Sequence, residues 1–319
     1  MSILGLFRAA SWLVDALPEP VGRAIFRAVG AVTGASNMHG AVQLRANLDR
    51  IVPVTGSWRA RRRSSRAMRS YMDYYYEAFR LSSLTQEQID ARVTCENVDA
   101  LRAHLESGHS ASAALLHMSN WDLAGAWATR NLAPVHSIAE KLNPPELAEH
   151  FLSFRRSIGL TIYQTGGGAI SHLERSMRTE PIIVTLLCDR DLSASGVQVN
   201  LADKPVRVAV GAALLAQRTG EPMWPITIVN DDFGHDAERV RRAGTRYGIR
   251  IIFGEPIRAG VGPEASAQER EADIVRMNQD WLDQAWPLLA THVADWHMLQ
   301  KVFVEDLDPA RLARFKEPT

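Results

Sequence analysis

The segment His117-Met118-Ser119-Asn120-Trp121-Asp122 holds the side chains that acid–base chemistry at neutral pH requires. An imidazole titrates near pH 7. A carboxylate on one of its ring nitrogens fixes the tautomer and leaves the other nitrogen free to take a proton from a hydroxyl. The local pattern reads strand, tight turn, helix. Ser112-Ala113-Ala114-Leu115-Leu116 is a short apolar run, and Ser119 or Asn120 caps a helix starting near Trp121. His117 then stands at the carboxyl end of a strand, where open α/β sheets hold ligands. Asp122 falls in the first helical turn, where the helix dipole favours its charge and it can turn back toward the imidazole. No GxSxG elbow is present, so the base would act on a substrate hydroxyl directly. The chain has ten histidines, and the spacing to an aspartate is a modest signal taken alone.

Other candidate groups say less. The two cysteines, Cys95 and Cys188, have no CxxC and no histidine at ligand spacing. The reading is two reduced thiols, with neither a disulfide framework nor a metal site. Gly166-Gly167-Gly168 lacks the Gly-Lys-Ser/Thr ending of a phosphate loop and reads as a turn. Trp58–Arg69 carries six arginines in twelve positions without acids at helical pairing distance. Such a run is either a solvated helix face or a surface for lipid head groups or an anionic substrate, each basic residue contributing about 1 kcal/mol near an anionic bilayer. With 36 basic and 36 acidic residues the chain is neutral overall, and no base-reading module follows the run, so nucleic acid is not the expected partner.

These groups need a scaffold. At 319 residues, 46% hydrophobic and 23% charged, the chain can bury a sizeable core and is not a disordered one. Residues 1–90 read as helical. The start resembles two amphipathic helices broken at Pro18–Pro20, with Leu4, Phe7, Trp12, Leu13 and Leu17, then Ile25, Phe26 and Val29, as apolar faces. These faces either pack on the core or lie in the plane of a membrane. No transmembrane span or clean signal peptide is present. Beyond residue 91, strand candidates at Ser112–Leu116, Pro181–Leu187, Val197–Leu201, Met223–Val229 and Tyr247–Phe253 alternate with helical windows at Leu123–Arg130, Pro145–Ile158, Ile170–Met177, Val208–Arg218 and Ala265–Leu289. This order predicts an α/β fold: a mostly parallel central sheet flanked by helices, with an N-terminal helical layer. The expected division is a membrane-associating helical region, 1–90, and an α/β core, 91–319, built as one unit.

HMSNWDLAGAW closely resembles the H-x4-D motif of glycerolipid acyltransferases. It is most similar to the branch with bacterial lipid A acyltransferases and actinobacterial phosphatidylinositol mannoside acyltransferases. AEKLNPPEL with FRRSIGL, CDRDLSASGVQVN, VGAALLAQRTGEPMWPI and ADWHMLQKVFVEDL follow in the order expected of the mannoside branch, covering about residues 100–310. The resemblance implies transfer of a long acyl chain from acyl-CoA, with palmitoyl-CoA the expected donor, to a mannose hydroxyl of a phosphatidylinositol mannoside. It implies no permanently bound cofactor and no metal. It implies a peripheral enzyme on the cytoplasmic face of the plasma membrane, with an anionic membrane surface, acyl-CoA and a phosphoglycolipid acceptor as partners. It implies catalytic roles for His117 and Asp122, and a relay role for Asp189. Arg155, Ser195 and Arg218 are then expected at the acyl-CoA donor. Glu140, Lys141, Arg190 and Asp191 are expected at the acceptor. One stretch departs from the family pattern: Lys204 occupies a usually acidic position, aliphatic residues replace two aromatics, and Gly211-Ala212 stands for Gly-Pro.

Two rival functions share these residues. In an acyl-CoA thioesterase the same His117 would activate water. A non-catalytic membrane- or lipid-binding relative would have no physical need for both His117 and Asp122.

Overall fold

The protein is seen here as a computed structural model that describes residues 5, 11–14, 16–140, 145–166, 168–191, 195–262 and 264–308. Three helices come first: α1 (Glu19–Ala35), α2 (His39–Ile51) and α3 (Ser57–Leu81). Pro18 caps α1 and a proline follows in its first turn, where a missing N–H leaves no bond unmade. The helix α1 runs antiparallel to α3, with Gly34 against Ser64 and Ser65, Gly30 against Met68, and Gly22 against Tyr76. A Cβ on Gly30 would stand 2.5 Å from the Met68 carbonyl oxygen, so the approach depends on glycine. The apolar residues of α1 divide between two faces. Phe26 is buried, edge-on to Tyr76 and Phe79, while Val21, Ile25, Val29 and Val32 are exposed along one line of the helix. Ile25, Phe26 and Val29, expected together, are therefore split.

The short α4 (Gln86–Arg92), opened by a Thr85–Gln88 capping box, leads into β1 (Val93–Glu96), α5 (Asp99–Glu106) and β2 (Ala111–Leu115). Then follow α6 (Trp121–Asn131), β3 (Val135–Ala139), α7 (Pro145–Ser157), β4 (Thr161–Gln164), α8 (Ala169–Thr179) and β5 (Ile183–Leu187). A hairpin of β6 (Val197–Leu201) and β7 (Lys204–Val208) precedes α9 (Gly211–Thr219), β8 (Met223–Asp232), α10 (Ala237–Ala243), β9 (Tyr247–Phe253) and α11 (Ala267–Thr291). Seven strands form one sheet in the order β1-β9-β8-β2-β5-β3-β4. Only the β8–β9 pairing is antiparallel.

The expected mostly parallel α/β sheet is thus present. Two candidate strands behave differently: Val197–Leu201 pairs only with β7 outside the sheet, and Tyr247–Phe253 runs against its neighbour β8. The hairpin turns at Ala202 and Asp203, both at positive φ, as a two-residue turn between twisted strands requires. Lys204, the departure from the family pattern, is the first residue after that turn.

Every residue of β2 is buried, and helices cover both faces of the sheet. One face packs Leu173, Leu215, Trp281 and Leu282 together with Leu44, Leu48 and Met68 of the N-terminal helices. The other packs Leu101, Leu123, Trp127 and Phe253. The helical layer therefore shares its core with the sheet. Among the described residues, no helix is long and apolar enough to cross a membrane.

Candidate active site

The strands β2 and β5 are neighbours in parallel register, with Leu115 opposite Leu187. His117 and Asp189 each lie two residues beyond that pair, so the register brings them together. His117 Nδ1 is 2.5 Å from Asp189 Oδ1, and the His117 backbone N–H donates to Asp189 Oδ2 at 2.9 Å. Trp296 Nε1 donates to the same Oδ2 at 2.7 Å. Burial alone would raise the Asp189 carboxyl. The His117 charge and the hydrogen bonds from His117 and Trp296 outweigh it and hold the group below the usual carboxylate range. The imidazole keeps 26% of its side-chain surface open to solvent, with its edge toward Trp121. With Nδ1 on the carboxylate, Nε2 is the nitrogen left to accept a proton.

The pairing of His117 with Asp122 expected from sequence is corrected here. Asp122 lies in the first turn of α6 as predicted, but its buried carboxylate accepts from the Tyr74 hydroxyl at 2.8 Å and from Arg155 Nε at 2.8 Å. It ties α6 to α3 and to the last turn of α7. Arg155, expected at the acyl-CoA donor, commits its Nε to this bond, and the Asp122 charge raises its pKa against the effect of burial.

The turn between His117 and α6 is held from several sides. Asn120 caps α6 by accepting from the Leu123 N–H, and its Nδ2 donates to Glu77. Glu77 in turn pairs with the buried Arg23 of α1 at 3.0 Å. Ser119 sits at φ 52°, with its N–H on the Asp295 carbonyl and its hydroxyl on Asn230. Met118 bridges to Trp296, and the His297 N–H reaches the His117 carbonyl at 2.8 Å. The His297 ring, bonded to Ser70, is pushed down to about 3 by burial and by the His117 charge.

The remaining expected residues spread over three places. Arg190 faces Glu140 at 4.0 Å. Asp191 is buried and pairs with Arg207 at 3.2 Å. Ser195 and Arg218 share an open pocket of about 400 Å³ with Arg207, Gln217 and Arg270, whose walls do not include His117. Lys141 lies outside the described residues. Sequence reasoning gave no role to Trp296, Tyr74, Asn230, Asp295 or His297. The ADWHMLQ tail and the tyrosine-rich stretch near residue 74 carried the signal, but only contacts reveal its use.

An apolar cleft lies behind Trp121, the ring that neighbours His117, and its walls include neither His117 nor Asp189. Its walls include Leu115, Leu187, Trp121, Ile138, Leu160 and Phe253, and its open volume is small, about 70 Å³. Ser119 and Asn120 also line a polar groove of about 1240 Å³, walled in part by arginines of α3.

A carboxylate-paired imidazole thus stands at the carboxyl edge of a mostly parallel α/β sheet. Residues 3–245 match the family profile described as bacterial lipid A biosynthesis acyltransferase. The chain belongs to that family and is an acyltransferase. It is similar to the phosphatidylinositol mannoside acyltransferase of Mycolicibacterium smegmatis, with 32% identity over 96% of this chain and 93% of the relative. It is similar also to that of Mycobacterium tuberculosis, with 29% identity over 97% of this chain and 91% of the relative.

Proposed function

We infer that this acyltransferase moves a long acyl chain from acyl-CoA, with palmitoyl-CoA the expected donor, to a mannose hydroxyl of a phosphatidylinositol mannoside. The observation that carries the reading is the His117 Nδ1–Asp189 bond, which leaves Nε2 of a partly exposed ring to accept a proton. Nε2 takes the hydroxyl proton, and the alkoxide oxygen attacks the thioester carbonyl. The tetrahedral intermediate collapses, the C–S bond breaks, and CoA leaves as a thiolate that takes the proton back from the imidazolium. Asp189 holds the ring and stabilises its charge. Asp122 and Arg155 act as positioning residues: they fix the start of α6, and with it the turn that carries His117. The names of the two relatives support the acceptor class.

The membrane side of the reading rests on the α1 line Val21, Ile25, Val29 and Val32, together with exposed Trp12 and Trp58. Apolar side chains with tryptophan at the border and arginines nearby suit a helix lying in a bilayer interface, here the cytoplasmic face of the plasma membrane. The residues 1–90 would then be the membrane-associating part.

The test is His117→Ala with palmitoyl-CoA and phosphatidylinositol mannoside in neutral detergent micelles. Loss of a general base costs about 10²-fold or more. A folded variant, by circular dichroism, with near wild-type transfer would refute the mechanism. Fatty-acid release at full rate without acceptor would instead identify a thioesterase.

A further inference from the structure

The arginine run of α3 divides by contact. Arg61 is bonded to the Ala35 carbonyl and Asn37, and Arg63 to the Val52 carbonyl and Asp49, so these two hold the helical layer together. Arg59, Arg62, Arg66 and Arg69 are different. They follow the 3-4-3 spacing of one helix face, all four are exposed, and all four line the polar groove that Ser119 and Asn120 also line.

Among the described residues, Arg59, Arg62 and Arg69 form no ion pair with a carboxylate, and Arg62 lies over the Trp58 ring. Arg66 faces Asp295, whose two oxygens are already bonded to Asn230. The other acids of the groove are committed as well: Asp73 and Glu77 to Arg23, Asp231 to Arg239 and Asp232 to Arg246. The groove thus presents cationic charge that its own acids do not cancel.

We propose that this α3 face binds the phosphodiester of the glycolipid acceptor, giving the enzyme a dedicated phosphate subsite beside the catalytic turn. The assignment rests on the acceptor class inferred above. Guanidinium groups pair with phosphate oxygens through two parallel N–H bonds, and four of them along one wall let the phosphate settle in register. Geometry favours the acceptor over bulk lipid. The arginines wall a groove that Ser119 and Asn120 also line, whereas the exposed apolar row lies on a different helix. At a rise of about 1.5 Å per residue, Arg66 and Arg69 stand roughly 8–12 Å along the axis from Tyr74, whose hydroxyl holds Asp122.

The experiment is isothermal titration of the full chain with soluble dihexanoyl phosphatidylinositol, dihexanoyl phosphatidylglycerol and neutral dihexanoylglycerol, in phosphate-free buffer. The probe set needs no turnover, so it reads the subsite even if the transfer reaction fails to appear. Wild type is expected to bind phosphatidylinositol in preference to both other lipids. R66Q/R69Q, whose changed side chains are exposed, should weaken that binding at least about tenfold, and R66K/R69K should recover part of it. Unchanged affinity in R66Q/R69Q, or no phosphatidylinositol binding by wild type, would overturn the proposal. Equal binding of phosphatidylglycerol would overturn it too, because the arginines would then read any anionic membrane lipid.

Discussion

Asp189 is a buried carboxylate served by three donors: the His117 ring, the His117 backbone and the Trp296 indole. Its pKa in the fold lies below the unfolded value of about 3.9. The stability it contributes is therefore complete above that pH and is lost as pH falls through the lower folded value. Asp189→Asn should lower kcat/KM by about 10²-fold or more while the protein stays folded, measured beside His117→Ala. His297 gives a second pH effect of known sign. Its folded pKa of about 3 is far below the ordinary 6.5, so the unfolded chain takes up a proton that the fold refuses. Stability falls as pH drops from about 6.5 toward 3, and His297→Gln should lose less Tm than wild type between about pH 7 and pH 5. Sequence spacing made His117 and Asp122 visible but paired them wrongly. The true partner of His117 is set by the register of β2 with β5, strands separated by three helices and two other strands in the chain. No local pattern encodes that register.

Elements were legible in proportion to their length and period. The expected helices at Pro145–Ile158 and Ala265–Leu289 and the strand at Pro181–Leu187 match α7, α11 and β5 within a few residues. The strands missed are β1, β3, β4 and β7. Two are four-residue edge strands, β3 carries His136 and Ser137, and β7 is interrupted by Lys204, Pro205 and Arg207, so none shows the apolar run by which a buried strand is recognised. The helix pair α1–α3 was legible as helices but not as a pair, since only the contacts reveal why Gly22, Gly30 and Gly34 are spaced as they are. Gly30→Val puts carbon where Met68 backbone stands and should cost about 1–3 kcal/mol. The check is a lower urea midpoint without a change in m.

At the scale of the whole molecule, the helical layer and the sheet are one body joined by a shared core and by buried charge. Arg23 reaches Glu19, Asp73 and Glu77, and Glu77 reaches the Asn120 cap beside the turn that carries His117. The opposite side of α1 is free of such duties. Ile25→Ser/Val29→Ser/Val32→Ser should therefore leave stability within about 0.5 kcal/mol per site. It should also reduce flotation with anionic vesicles by at least about tenfold, since burying each branched side chain contributes roughly 1.5–3 kcal/mol. Undiminished flotation would remove the case for an in-plane helix. Net charge and composition showed none of this division, because a neutral total hides an arginine wall on one helix and a valine row on another.

The reversal of β9 has a consequence for the rim of the sheet. A strand laid parallel to β8 would deliver its carboxyl end there. Running backward, β9 delivers its first residue, Tyr247, level with Asp232 at the end of β8. The Tyr247 hydroxyl accepts from Arg27 at 2.8 Å, and its ring lies beneath both Arg27 and Arg23. One inverted strand thus gives α1 a clasp at the carboxyl edge of the sheet, the edge that also carries His117.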